Sequence, residues 1–230
     1  MTIVNSIHGV TLLGGGALNS DDLHAALRFA PDLVAADGGA DHALERGLLP
    51  QAVIGDLDSL GAQSRHSLPA DRLHQIAEQE TTDFDKCLRE IASPLILGLG
   101  FMGGRLDHHL SALSGLLAAQ HQRCILLGAV DLCFLAPPQI ELDLPLDSRL
   151  SLMPLAKATA AADGLEWPLA GAPFEPGGRT GASNRVAGRV NLRVDRPAML
   201  VILPKESLPE AQSALRNLPQ TWPGKGAAKL

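Results

Sequence analysis

Five aspartates, Asp37, Asp56, Asp58, Asp83 and Asp107, stand where a short apolar run gives way to a turn or a helix start. One carboxylate at such a position reads most simply as a cap or turn former. Five at successive positions of this kind read as a cluster. Asp56 and Asp58 are two residues apart, so in an extended segment their side chains point to one side and can share a cation. Carboxylates that close repel, and a divalent metal is the usual remedy. Hard oxygen donors without a nearby His or Cys group favour Mg2+, which keeps several waters and takes further oxygens from a substrate phosphate. The acidic set therefore points to nucleotide chemistry.

Glycines accompany the acids at Gly14 to Gly16, Gly38 to Gly39 and Gly103 to Gly104. They permit close backbone approach to phosphate and expose N–H groups at helix starts, although glycine turns follow strands in most α/β proteins. Positive charge for phosphate comes from Lys86, one helical turn beyond Asp83, and Arg105, two residues before Asp107, with a surface salt bridge as the plain alternative for both. The chain has no GxxxxGK[ST] and no GxSxG, so neither a Walker loop nor a serine-hydrolase elbow is expected. His108 adjoins Asp107 without metal-ligand spacing and reads as a polar contact.

These residues need a frame. Apolar runs at 10–13, 33–36, 52–54, 73–77, 95–99 and 124–127 alternate with helical periods at 21–30, about 82–92 and after Gly104. That is the pattern of a parallel sheet with crossover helices. Ser20 is the expected cap of the first helix, and Leu106, Leu110, Leu113 and Leu117 the expected core face of the last. The turns after the strands then lie at the carboxyl edge of the sheet, where open α/β folds bind ligands. From about residue 137 the runs become short, at 149–153, 189–194 and 199–203, and are separated by Pro and Gly, which predicts a smaller β-rich domain. The expectation is an α/β domain over 1–136, a β-domain over 137–218 with a helix near 206–218, and a frayed tail over 219–230.

Composition narrows the function classes. With 46% hydrophobic and 19% charged residues, the 230-residue chain should fold as a globule. A net charge of -6 without a basic run argues against nucleic-acid and anionic-membrane partners. Cys87, Cys124 and Cys133 lack CxxC spacing and sit among apolar residues, as buried free thiols would. With no membrane-length apolar run and no leader-like N-terminus, a reducing cytoplasm is expected.

The sequence resembles the thiamine pyrophosphokinase family from about residue 14 to about 201. The resemblance is carried by DGGA at 37–40, IGDLDS at 54–59, QETTDFDKCL at 79–88 and GGRLDHHL at 103–110, with GLEWPL at 164–169 and GASN at 181–184 in the β-rich part. It implies a Rossmann-like α/β catalytic domain followed by an all-β sandwich, and a homodimer with active sites formed between subunits. By position it implies an acidic centre of Asp56, Asp58, Asp83 and Asp107, with Mg2+ on the first three. Asp37, Gly38, Gln79, Thr82, Lys86, Arg105 and His108 would lie around ATP, and Ser183 and Asn184 would contact thiamine. Two positions depart from the pattern. Ala112 stands where the family often has Asn, and Val186 replaces an aromatic residue that could stack on thiamine. Trp167 is then the remaining aromatic wall, with a core Trp as the alternative.

The reaction so implied is in-line attack of the thiamine hydroxyl on the β-phosphorus of ATP, with AMP leaving and one of several coupled carboxylates taking the proton. Rival readings are pyrophosphoryl transfer to another alcohol such as a hydroxymethylpterin, a phosphatase or glycosyltransferase built on the Asp56–Asp58 pair, and a sensor that binds without turnover.

Overall fold

A computed structural model describes residues 2–224. These fall into two compact units, one built from the residues up to Gly115 together with Leu126–Ala129, the other from Leu116–Ile125 and the residues from Val130 onward.

In the first unit, strand β1 (Val4–Asn5) is followed by β2 (Val10–Leu13), helix α1 (Ser20–Phe29), β3 (Asp32–Ala36), α2 (Gly39–Glu45), β4 (Ala52–Gly55), α3 (Ala62–Ser67) and β5 (Leu73–Gln75). Next come α4 (Asp83–Glu90), β6 (Ile91–Ala92), β7 (Ile96–Leu99), α5 (Leu106–Ala118) and β8 (Cys124–Leu127), the last two straddling the division between units. The main sheet has the order β8-β7-β2-β3-β4-β5, and β2–β3, β2–β7, β3–β4 and β4–β5 are parallel. β1 and β6 form a separate parallel pair. Every residue of β2, β4, β7 and β8 is buried, as expected of strands covered on both faces. The chain runs outward from β2 to β5 and then returns beside β2 as β7, so the strand order reverses between β2 and β7.

Several local expectations are corrected. Asn19, one residue before Ser20, caps α1 by accepting from the Asp21 N–H. β5 ends at Gln75, two residues earlier than expected, and the Gln75 side chain donates to the Asp56 carbonyl. α5 buries Ala112, Gly115 and Leu116, while Leu106 is 69% exposed and Leu110 is 53% exposed. Small residues make the closer contact: a Cβ added to Gly115 would lie 2.8 Å from the Phe84 ring of α4 and 2.7 Å from Asp85. Packing against α4 therefore selects the small face over the leucine face. Ala112, at 3% exposure, is part of it.

In the second unit, β9 (Asp131–Leu135), β10 (Gln139–Leu142), β11 (Arg149–Pro154), β12 (Ala158–Leu165), β13 (Leu169–Phe174), β14 (Ala182–Val194) and β15 (Met199–Pro204) precede α6 (Leu208–Arg216). All their described pairings are antiparallel, through β9–β15, β15–β11, β11–β14, β14–β12, β12–β13 and β10–β14. β14 begins against β11 and ends between β10 and β12, so one long strand serves three ladders, a device of packed double sheets. Its buried residues alternate from Asn184 and Val186 through Val190, Leu192 and Val194, one face to the core. Of the tail, residues 219–224 make two hydrogen bonds to the second unit: Trp222 Nε1 donates to the Ala136 carbonyl at 2.8 Å and Gln120 Nε2 to the Pro223 carbonyl at 2.6 Å. The rest of the expected tail, 225–230, lies outside the described residues. Among those described, no helix is long and apolar enough to cross a membrane, and all three cysteines are buried free thiols.

The start of α2 is set against the end of β2 with no room to spare. A Cβ on Gly39 would stand 2.1 Å from the Leu13 carbonyl oxygen. Gly39→Ala should therefore destabilise the fold by about 3 kcal/mol through overpacking, lowering the melting temperature by about 6–12 °C in thermal unfolding. An unchanged melt would show that α2 can move off β2 freely.

Candidate active site

Four acidic residues converge at the carboxyl ends of β3 and β4. Asp37 follows β3 with a left-handed φ of 41°, a conformation Asp tolerates better than most residues. Its Oδ2 accepts the Ser59 N–H at 3.1 Å, and its buried Oδ1 has no partner. Asp56 follows β4. Its N–H donates to Asp83 Oδ1 at 3.3 Å, and its carbonyl accepts Gln75 Nε2 at 2.9 Å. Its carboxylate accepts Gln79 Nε2 at 2.8 Å and the Asp58 N–H at 3.2 Å. Ser59 Oγ donates to Asp58 Oδ1 at 2.9 Å. Asp37, Asp56 and Asp58 each offer an oxygen within 4.8 Å of the others.

Leu57, between the two loop aspartates, has a left-handed φ of 64°. For a leucine that conformation costs about 1–2 kcal/mol. Its side chain is buried with Ala35, Ala40, Val53, Leu60 and Leu68, and burying a leucine returns about 1.5–3 kcal/mol. The loop thus keeps an unfavourable backbone because its apolar side chain is an anchor.

Lys86 lies behind the acids at 1% exposure, 3.0 Å from Asp83 Oδ1 and 3.7 Å from Asp56 Oδ2. Burial alone would favour its neutral form, but the bond and charge of Asp83, with Asp56 and Glu78, prevail and raise its pKa, so it stays protonated. Burial likewise raises Asp56, but the Asp58 N–H, Gln79 and Lys86 outweigh it and hold Asp56 below the usual carboxylate range. Among the described residues, no ion pair reaches Asp37. Burial pushes its pKa up to about 6 against the Ser59 N–H, aided by the charges of Asp83, Asp56 and Asp58.

Helix α4 presents Asp83 and Lys86 from a well-made start. Thr82 caps it in a reciprocal box with Asp85, worth about 1 kcal/mol. Glu78 ties the preceding turn by accepting the Glu80 and Thr81 N–H groups, with Arg89 at 3.4 Å. The Thr81 hydroxyl is the main reason its pKa falls to about 2. The same turn aims Gln79 at Asp56.

The sequence grouped Asp56 and Asp58 with Asp83 as metal ligands. In the structure Asp37 offers an oxygen close to those of Asp56 and Asp58, and Asp83 adjoins them, accepting from Lys86 and the Asp56 N–H. Lys86 faces the carboxylates. Gly38 lies at the start of α2, where a Cβ would come 3.3 Å from the Ser59 carbonyl. Asp107 stands apart: it is exposed, paired with Arg105 at 2.6 and 3.2 Å, and held down to about 2 chiefly by that bond. His108 meets it only through its N–H. Gln75, Glu78 and Arg65 were missed, because nothing in their spacing marks the loop carbonyls and amides they hold.

In the second unit, Ser183 is exposed on β14, whereas Asn184 is 6% exposed. The Asn184 amide clasps the Trp167 backbone, accepting its N–H at 3.2 Å and donating to its carbonyl at 2.7 Å. Asn184 therefore faces Trp167 rather than open solvent. The indole is displayed at 56% exposure, which removes the core alternative for it. Val186 is core at 1% exposure, and its own N–H and carbonyl pair with the Ser148 carbonyl and the Asp147 N–H.

Comparison with known proteins identifies two adjoining matches. Residues 23–127 match the family model for the thiamin pyrophosphokinase catalytic domain, and residues 139–199 that for its vitamin B1 binding domain. "Thiamine pyrophosphokinase 3" of Oryza sativa subsp. japonica is 28% identical over 200 residues, spanning 69% of this chain and 75% of the relative. "Thiamine pyrophosphokinase 1" of Arabidopsis thaliana is 27% identical over 197 residues, 71% and 72% of the two chains. Among solved structures, thiamin pyrophosphokinase from Candida albicans aligns with a TM-score of 0.72 at 16% identity, covering 87% of this chain and 92% of that one. The yeast enzyme aligns with a TM-score of 0.70 at 18% identity, covering 90% and 93%. At those identities the structures speak for the fold.

Asp37 gives the metal-free protein a pH signature. Its folded pKa of about 6 lies above the ordinary 3.8, so burying the ionised form costs stability fully above pH 6, progressively less down to 3.8, and not at all below. Metal-free Asp37→Asn should be more stable than the parent by roughly 2–3 kcal/mol at pH 7.5. The two melts should converge near pH 4. A parent that melts as high as the variant at pH 7.5 would contradict the assignment.

Proposed function

The chain belongs to the thiamin pyrophosphokinase family, and from that premise we propose that it transfers the pyrophosphoryl group of ATP to the hydroxyl of thiamine, giving thiamine diphosphate and AMP. The observation that carries the reading is the convergence of Asp37, Asp56 and Asp58 oxygens within 4.8 Å, in a chain matched by both a catalytic and a vitamin B1 binding family model. We assign the nucleotide to residues 1–136 and thiamine to 137–218, and the two matches fall within those spans.

The donor set suits Mg2+. It is made of hard oxygens, and the buried, partnerless Asp37 Oδ1 is an acceptor still to be satisfied. Asp37, Asp56 and Asp58 would hold the ion, with Asp83 beside them. When bound, it supplies charge neutralisation and alignment of the polyphosphate oxygens.

The chain's own residues account for the rest. Lys86, buried between Asp83 and Asp56, limits the repulsion among the acids, and Gln79 fixes the rotation of the Asp56 carboxylate. Arg105, 70% exposed, is the cation free to turn from Asp107 towards non-bridging oxygens. Gly38, Thr82 as the cap of α4, and His108 complete the nucleotide side. Asp107 is held low chiefly by Arg105, so it becomes a better proton acceptor once Arg105 turns to the phosphates. For thiamine, the exposed Trp167 offers a π-face to a cationic ring, Asn184 fixes its backbone, and Ser183 adds a hydroxyl. A homodimer in a reducing cytoplasm belongs to the same proposal, supported by the exposed Leu106 and Leu110 and by three free thiols.

The test is AMP and thiamine diphosphate formation by the purified chain with ATP and Mg2+, with and without thiamine. Equal amounts of both products, dependent on thiamine, are expected. ATP and thiamine binding without product would replace the enzyme by a sensor. Asp56→Asn should lower kcat by about 100-fold or more while the fold persists in thermal melts. Trp167→Ala should raise the KM for thiamine by about tenfold, with the KM for ATP unchanged; an unaltered thiamine KM would remove the indole from the site.

A further inference from the structure

The carboxylates of Asp56 and Asp58 would share a side automatically if the segment between them were extended. It is not, because Leu57 has a left-handed φ of 64°. Their alignment therefore depends on whatever holds Leu57 in a conformation leucine rarely adopts. Its side chain is fixed in the apolar cluster with Val53 and Leu68, but a buried side chain still leaves the adjoining peptide free to rotate. One group outside the loop restrains that peptide: Arg65 of α3 donates from its guanidinium to the Leu57 carbonyl.

We propose that Arg65 is a positioning residue of the acidic site, acting through the Leu57 carbonyl to keep the Asp56 and Asp58 carboxylates on one side. Three observations support this. α3 buries none of its own residues, so a core-packing role does not explain its place beside the loop. Among the described residues Arg65 has no ion pair, and its guanidinium bond goes to a neutral carbonyl inside the acidic loop. The peptide it holds also carries the Asp58 N–H, which donates to Asp56 Oδ1, so rotating that peptide would break the bond between the two aspartates. A charged donor makes the stronger kind of hydrogen bond to a carbonyl. Arg65 touches neither reacting group, and its effect should appear in the metal requirement before it appears in the fold.

The inference rests on the proposed function for one of its two readouts. The Mg2+ concentration for half-maximal AMP release, at saturating ATP and thiamine, is measured for the parent, Arg65→Ala, Arg65→Met and Arg65→Lys. Mn2+ binding to the same four proteins without substrates is followed by electron paramagnetic resonance. Both Arg65→Ala and Arg65→Met should require about tenfold more Mg2+ and bind Mn2+ correspondingly more weakly, with a cooperative melt retained. Arg65→Lys, which keeps a donor, should recover most of the loss. Should Arg65→Ala lose its cooperative melt, Arg65→Met, which keeps the aliphatic stem, decides. An active parent whose Ala and Met variants share its metal dependence overturns the inference and leaves the functional reading intact. A parent that releases no AMP overturns the functional reading, and Mn2+ binding then decides the inference: weaker in Arg65→Met upholds it, equal overturns it.

Discussion

Carboxylates gathered this closely repel one another, and much of the first unit can be understood as what keeps them together. Asp37, Asp56 and Asp58 share a space of 4.8 Å, with Asp83 joined to them through the Asp56 N–H. Two means of opposing that repulsion are visible. Lys86, fully buried, places a positive charge behind Asp83 and Asp56, and N–H groups from Ser59, Asp58 and Gln79 donate to individual oxygens. Burial raises the pKa of Asp37, which receives only one of these donors, whereas at Asp56 the donors and Lys86 outweigh burial and lower it. The site is therefore uneven in charge, with its open demand at the innermost oxygen.

The parallel sheet supplies the positions. Adjacent parallel strands end side by side, so the residues just beyond β3 and β4, Asp37 and Asp56, become neighbours although 19 positions apart by their numbering. The helices then add what the strands cannot. α2 starts close against β2 because Gly39 has no Cβ, and α4, capped by Thr82, brings Asp83 and Lys86 to the same point one turn apart. The intervening loop is held by side chains from Asp37, Asp41, Arg65 and Gln75 rather than by any regular ladder.

Alternation of apolar runs with helical segments made the first unit legible, since buried parallel strands read as continuous apolar stretches. The acidic residues were legible for the same reason: they follow those stretches directly. What the sequence could not convey was partnership through space. Asp83 and Asp37 both follow the pattern of a ligand, and only the structure shows that Lys86 reaches Asp83. α5 misled because its leucines repeat at helical spacing while Gly115 makes the close approach to α4 and Ala112 is buried. In the second unit only three of seven strands were anticipated. β12 and β13 are rich in Ala, Gly and Pro, a composition with little β-propensity of its own, and they exist because β14 pairs with β12 along its length. Asn184 was read as facing substrate, yet its amide is used on the Trp167 backbone.

That arrangement also gives the protein its optical character. The chain has no tyrosine and two tryptophans, so its near-ultraviolet emission comes from indoles alone. Trp222 is partly covered and donates to the Ala136 carbonyl, whereas Trp167 projects into water from a backbone clasped by Asn184. The two chromophores thus differ in polarity of surroundings and in access to dissolved quenchers. Emission lost to a small aqueous quencher belongs mainly to Trp167, which makes the exposed indole an intrinsic label on the surface of the second unit.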